Sequence, residues 1–444
     1  LQFSNALKYT GLLIFGYLLL LSFSYPYEHP GYQAIFTLLT GICISLCLNL
    51  IHSLCNRHGA TLIFWGIVFV GAMIRFSWAI FAPTQPISDF QYYYENATQL
   101  AQGTTVLTKN IGYTLLLSIC LRIHQSILTG KLINATASTL SILFLYHVGS
   151  RLVNKQTGLF ASFLFAILPS EILMVSVLGT EVVSTTLGLI VGLFIIRTWG
   201  RKNSSPTISI FWAGLFYGLA LTVRSSFVFY FPAIVMWIVF TSFSNYSQMS
   251  KSFLTFIASL AIGLSITLMG YYASTKEFSI ELLRTQDSYP FLSGTNLTTS
   301  GMYSVEDARL YFSWAADERD ALARQEAINR IKSNPLGFLL LILRKIAILF
   351  GESYYGVYWS LMDIDWNIGK VLLALLSQSI YVTILFFAFL AFKDSKSNTL
   401  LLMINLILIL STVVPHTILE VQGRYHHYIM PFIVLLASNG IQQK

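Results

Sequence analysis

The reading turns on Ile87-Ser88-Asp89-Phe90-Gln91-Tyr92-Tyr93-Tyr94-Glu95-Asn96-Ala97. This polar and aromatic stretch follows directly on a long apolar run that ends near Ala82. The chain has 444 residues, of which 55% are hydrophobic and only 10% charged, with a mean hydropathy of +0.66. Soluble domains carry about a quarter charged residues. No soluble core hides this much apolar surface, so lipid must be the solvent. In such a chain, a carboxylate at a membrane boundary needs a reason. The net charge of +8 does not imply nucleic acid as a partner. Lys and Arg fall in short gaps between apolar runs, as orientation signals do, and no basic patch is interleaved with stacking aromatics.

Outward from this stretch, apolar runs of spanning length lie near 7–25, 32–54 and 60–82. Arg57 in the second gap marks the cytoplasmic side, which puts Asp89 on the external side. The first run lacks a small-residue cleavage site and reads as a retained span. Cys43 and Cys47 stand one turn apart in an apolar run and read as buried small residues. With Cys55 and Cys120 they suggest neither a disulfide framework nor a metal site. Phe90, Tyr94, Ala97 and Ala101 share a face at helical spacing, and Ser88 with Gln91 resembles a capping box. A surface helix is expected to start at Ser88. A second short surface helix is expected over 111–124.

Further spans fit near 131–148, 157–177, up to Ile196, 207–222, 225–243, 252–272, 368–391, 398–414 and 426–440. The run 157–177 is interrupted by Pro169-Ser170-Glu171. Arg151, Lys155, Arg197, Arg201, Lys202, Lys251, Lys393 and Lys396 mark the cytoplasmic gaps. Residues 305–333 read as one helix, broken at Asn334-Pro335. The apolar run 336–350 reads as interfacial, with Arg344 and Lys345 snorkelling. The expectation is an all-α integral-membrane protein of about twelve transmembrane helices. It forms one polytopic domain over 1–444, with a first external loop at 83–130 and a larger one at 273–366. No internal repeat supports a transporter, and no nucleotide fingerprint is present.

The unusual ionisable residues gather on the external side: Asp89, Glu171, Glu181, Arg224, Arg344, Lys345, Glu420, Arg424, His426 and His427. Charges at membrane depth are costly and mark functional candidates. A lipid-phosphate sugar donor would need cations at its leaving phosphate, for which Arg224, Arg424, Lys345 and His426 are candidates. An attacking hydroxyl would need a carboxylate to take its proton, and Asp89 is the candidate. Glu181, Tyr94 and Tyr425 are candidates for substrate binding. Each has a plainer reading: Asp89 facing a helix dipole, Glu171 as a turn residue, Glu181 in a structural hydrogen bond. Likewise Arg224 could pair with a headgroup or Glu181, and Arg344 and Lys345 could be headgroup anchors. His426 and His427 are adjacent, point different ways, and do not make a metal pair.

Five stretches resemble the GT-C superfamily of multi-spanning glycosyltransferases, close to its protein O-mannosyltransferase and aminoarabinose transferase branch. They are Ser88-Asp89-Phe90 with Tyr94; Ile111-Gly112-Tyr113-Thr114-Leu115-Leu116; and Leu132-Ile133-Asn134-Ala135 through Gly149-Ser150-Arg151-Leu152. Gly218 through Arg224, with Gly423-Arg424-Tyr425 and Met430-Pro431, resembles the later arginine motifs. Gly294-Thr295-Asn296 with Ser300-Gly301-Met302-Tyr303 resembles an external loop. Phe90 stands where the family often has a second acid. The resemblance implies Asp89 as the catalytic residue, a polyprenyl-phosphate sugar donor, and inverting transfer to a glycan, lipid or protein acceptor. The sequence itself indicates no cofactor and leaves a divalent metal open. The resemblance also implies an active site facing outside a bacterial inner membrane. The alternatives are a lipid-linked glycan flippase or an O-antigen ligase-type polymerase.

Overall fold

The computed structural model describes residues 2–24, 30–106, 108–198, 206–242, 246–283, 288–393 and 398–442. Arg201, Lys202 and Lys396 lie outside the described residues. Among those described, no strand forms. The chain opens with α1 (Gln2–Ser24), α2 (Pro30–His58), α3 (Ala60–Phe81), α4 (Asp89–Ala101) and α5 (Ile111–Leu121). Next come α6 (Ile127–Leu152), α7 (Lys155–Ile167), α8 (Pro169–Leu173), α9 (Thr180–Ile196), α10 (Pro206–Val223), α11 (Phe231–Ser242) and α12 (Tyr246–Thr275). A loop with α13 (Tyr289–Gly294), α14 (Val305–Ser313) and α15 (Arg319–Ser333) leads to α16 (Pro335–Gly351) and α17 (Tyr355–Ser360). The chain closes with α18 (Asn367–Lys393), α19 (Thr399–His416) and α20 (Met430–Gln442).

Among the described residues, seven helices are long and apolar enough to cross a membrane, and up to nine if each bent pair counts as one span. With the shorter apolar helices α5, α9, α10 and the segment Ser225–Val239, these lengths are compatible with twelve spans and do not fix the number. The core is built on α20, buried from Met430 to Gly440, which packs against α18 and α7. The tightest helix pair is α10 with α12. A Cβ on Gly218 would stand 2.3 Å from the Leu260 carbonyl oxygen, and one on Gly263 would stand 2.3 Å from that of Leu215. Small residues at a crossing let two backbones touch where lipid gives no hydrophobic drive.

The expected interruption at Pro169 is present: α7 and the segment after it bend by 61°. Proline has no N–H to offer the carbonyl four residues back, so the break strands acceptors inside the bundle. Arg75 of α3, which is fully buried, supplies the missing donors. Its Nη2 donates to the Phe165 carbonyl (2.9 Å), its Nη1 to that of Ala166 (3.0 Å) and its Nε to Ser138 Oγ (2.7 Å).

Several local expectations are corrected. Ser88 forms no side-chain cap; it stands at φ 52°, ψ −130° in a turn closed by Phe90 N–H donating to the Ile87 carbonyl (3.0 Å), and α4 starts at Asp89. Gln91 donates to Glu95 and does not reach back. Residues 305–333 form two helices, α14 and α15, not one. Arg344 is exposed, but Lys345 does not snorkel. Its Nζ turns inward and donates to the carbonyls of Gly294 (2.8 Å) and Thr417 (3.1 Å). Cys43 and Cys47 are exposed on the outer face of α2, not buried. Glu171 is buried and lies 3.2 Å from His427 Nδ1, so it is more than a turn residue.

A stranded buried acceptor costs about 1–3 kcal/mol. Arg75→Met should therefore lower stability by about 2–4 kcal/mol, read as a lower Tm in detergent. An unchanged Tm would show that the break at Pro169 stands without Arg75.

Candidate active site

Asp89 is the first residue of α4, and the turn before it is held from two sides. Lys131 Nζ donates to the Ala82 carbonyl (2.7 Å), and Thr84 Oγ1 donates to the Ser360 carbonyl (2.7 Å). A non-glycine residue at positive φ, such as Ser88, stores backbone strain and persists only where its surroundings impose it. The carboxylate so presented meets Arg424, whose Nη2 donates to Asp89 Oδ2 at 3.2 Å.

Arg424 lies in the 3-10 turn Gly423–Ile429 that leads into α20. Its guanidinium is 4.8 Å from the ring centre of Trp359 and 5.0 Å from that of Phe90. Its Nη1 lies 3.5 Å from Glu181 Oε1. The same oxygen accepts from Arg224 Nη1 at 3.0 Å, and that nitrogen also donates to Thr180 Oγ1 at 2.7 Å. Arg224 ends α10, and its guanidinium lies 5.4 Å from the ring centres of both Tyr425 and Tyr428. Glu181 is thus clamped by two guanidinium groups. Its side chain is 2% exposed, against 62% for Asp89. Gly179 permits this approach: a Cβ there would sit 2.4 Å from Glu181 Oε2.

These groups line one cavity of about 800 Å³ together with Glu420 and Tyr425. The sequence candidates Asp89, Glu181, Arg224, Arg424 and Tyr425 meet here. Lys345, His426 and Tyr94 are not among its lining residues. Lys345 braces the loop behind the cavity wall. His426 is buried, stacks between Phe350 and Tyr381, and donates through Nδ1 to the Leu349 carbonyl. Tyr94 packs beside Phe90, Ala97 and Tyr113.

Sequence reasoning assigned no role to Tyr93, Lys109, Asn110 or His416, which also line the cavity. Asn110 links two parts of the wall: its Nδ2 donates to Tyr93 Oη (2.8 Å), and its Oδ1 accepts from Ser225 N–H (3.1 Å). Burial, with the nearby Asp89 charge, pushes the Tyr93 phenol up to about 12. Among the described residues, no group of three or more His, Cys, Asp or Glu side chains could hold a metal ion.

A second, apolar groove of about 960 Å³ runs between α9, α10, α11, α19 and α20. Gly192, Ile196, Ile234, Trp237, Ile404, Tyr428 and Phe432 are among the residues that line it. The ring of Tyr428 lines this groove and also lies 5.4 Å from the Arg224 guanidinium, so a single side chain joins the groove to the cationic wall of the cavity.

Residues 109–271 match the family model described as dolichyl-phosphate-mannose-protein mannosyltransferase. Similar solved structures include the archaeal oligosaccharyltransferase AglB of Archaeoglobus fulgidus in complex with an inhibitory peptide and a dolichol-phosphate. The match has a TM-score of 0.50 and 12% identity, over 87% of this chain and 50% of that one. The same organism's oligosaccharyltransferase tethered with an acceptor peptide gives a TM-score of 0.51 at 15% identity, over 87% and 50%. ArnT of Cupriavidus metallidurans bound to undecaprenyl phosphate gives 0.39 at 11% identity, over 86% and 77%. The chain spans about half the length of the archaeal enzymes. No curated protein sequence matches it. The chain thus shares the fold of the AglB membrane region it matches, has helices of membrane-spanning length, and over residues 109–271 is similar to this mannosyltransferase family.

Proposed function

We propose that the protein transfers a sugar from a polyprenyl-phosphate donor to an acceptor hydroxyl, with inversion, on the external face of the membrane. The acceptor is a glycan, a lipid or a protein. One observation carries this reading: Tyr428, which lines an apolar groove, packs against Arg224 in the wall of a cavity that holds two arginines and an accessible carboxylate. A lipid-linked phosphate needs this pairing, a dry channel for the tail and cations for the head. The archaeal enzyme of the same fold is described with dolichol-phosphate bound, which supports a lipid phosphate as the head.

In the proposed step the tail lies in the groove and the phosphate lies against Arg224 and Arg424. The acceptor oxygen attacks the anomeric carbon as the bond from that carbon to the phosphate oxygen breaks. The electron pair leaves with the lipid phosphate, whose growing charge the two guanidinium groups stabilise. The hydroxyl proton passes to Asp89, the general base. One displacement inverts the anomeric centre and requires no carboxylate nucleophile.

Three outcomes test this reading. General-base catalysis contributes about 10²–10⁴-fold, so Asp89→Asn should cost at least about 100-fold in kcat with donor binding retained. Near-full activity in that variant would remove Asp89 from the mechanism. Losing a charge-assisted contact of about 1.5–3 kcal/mol, Arg424→Ala should weaken donor affinity about 10- to 150-fold. Unchanged affinity would argue against a phosphate role. Gly192→Trp should fill the groove and weaken binding of a long-chain polyprenyl-phosphate sugar far more than of a short-chain analogue. Equal effects on both would place the tail elsewhere.

A further inference from the structure

Glu420 lines the same cavity as Asp89 but reaches it from the opposite end of the chain. The residue is only 8% exposed. Its Oε1 accepts from Gln422 Nε2 at 2.8 Å and from Tyr425 Oη at 3.4 Å. Among the described residues, no hydrogen bond reaches Oε2.

The backbone under Glu420 is fixed. Its N–H donates to the Pro290 carbonyl (2.7 Å), and the next N–H, of Val421, donates to the Gly301 carbonyl (2.9 Å). Lys345 Nζ ties Gly294 to Thr417, so residues 288–304 and 417–421 are joined on both sides of Glu420. Gly301 stands at φ 74°, and a Cβ there would meet Lys345 Cε at 2.8 Å. A side chain held this firmly is suited to discriminate, because little ordering is left for the ligand to impose.

We infer that Glu420 is a specificity-determining residue that accepts a hydrogen bond from a hydroxyl of the donor's sugar ring. This rests on the donor reading given above. In that reading the phosphate lies on Arg424, four residues along the same segment, and the sugar is bonded directly to that phosphate. The ring therefore stands beside the 420–425 wall, and the acceptor comes from the Asp89 side. The ligand class also fits the environment. Burial pushes the Glu420 carboxyl up from its ordinary value, which favours a neutral hydroxyl partner over a group that demands full charge. A site built to bond a substrate hydroxyl rejects the analogue lacking it strongly, because its own buried acceptor is then left unpaired.

The test uses the full-length protein in lipid nanodiscs. It is supplied with synthetic polyprenyl-phosphate hexoses and pentoses and with their monodeoxy analogues, with a total membrane extract as the source of acceptor hydroxyls, and kcat/KM is measured for each donor as release of polyprenyl phosphate. In the wild type, one deoxy position should cost at least about 10-fold in kcat/KM, the worth of about 1.4 kcal/mol. In Glu420→Ala that penalty should vanish at that position alone, and Glu420→Gln, whose amide oxygen still accepts, should retain part of it. The remaining deoxy positions and the binding of sugar-free polyprenyl phosphate should be unchanged. A merely structural role would lower every donor, and sugar-free polyprenyl phosphate, together; that outcome overturns the inference, as does a deoxy pattern identical to wild type. If the wild type turns over none of the donors, the glycosyl-transfer reading itself fails, and this inference fails with it.

Discussion

A guanidinium group removed from water must share its charge or leave the interior, and the bundle is arranged around that constraint. Arg424 is 5% exposed and lies over two aromatic rings. Its charge is met by Asp89 on one side and Glu181 on the other, residues 335 and 243 positions away. A buried charge left alone costs several kcal/mol, about 3–5 where one partner of a buried pair is removed. The three segments therefore have to converge, and each is braced where it does. Lys131 and Thr84 hold the turn before Asp89, Asn110 ties α5 to the turn of Arg224, and Lys345 ties the loop before α14 to the end of α19 ahead of Arg424.

The same constraint explains why so many helices stop at this level. α4 and α9 begin here, and α10 ends here at Arg224. Helix starts expose unpaired N–H groups and a partial positive charge. Two starts and two arginines make a region that favours anions. It is already part-filled by Glu181, and Asp89 remains open to the cavity. Irregular backbone is tolerated at membrane depth only where it lines a polar space, and the extended Arg224 and the 3-10 turn carrying Arg424 do so.

Much of this was legible in the sequence for simple reasons. Apolar runs of spanning length report helices directly, and Pro169 has to break one. A lone acid between an apolar run and an aromatic helix stands out against a 10% charged background. The failures share one cause, which is that the partner atoms belong to distant helices. Lys345 reads the same whether its ammonium reaches the headgroups or two buried carbonyls, and only the packing of α16 decides. His426 looks like a site residue beside Arg424, yet the helical turn aims it at the end of α16. Arg75 lay unremarked in its span, although an intramembrane arginine is itself a signal, and the stranded carbonyls it serves are set by the Pro169 break.

The two carboxylates facing Arg424 are not interchangeable, and the difference is electrostatic. Glu181 gives one oxygen to two guanidinium groups and is 2% exposed. To accept a proton there it would have to release two cations with nothing to replace it. Asp89 has one such contact, at 3.2 Å, and is 62% exposed. In the proposed transfer, a lipid phosphate arriving at Arg424 competes for the guanidinium that now holds Asp89. As that hold weakens, the carboxylate oxygen is freed to accept the proton of the acceptor hydroxyl. Glu181 keeps Arg224 in place meanwhile, so the cationic wall survives the exchange. The division of labour follows from accessibility: the enclosed acid fixes the cations, and the open one exchanges its partner.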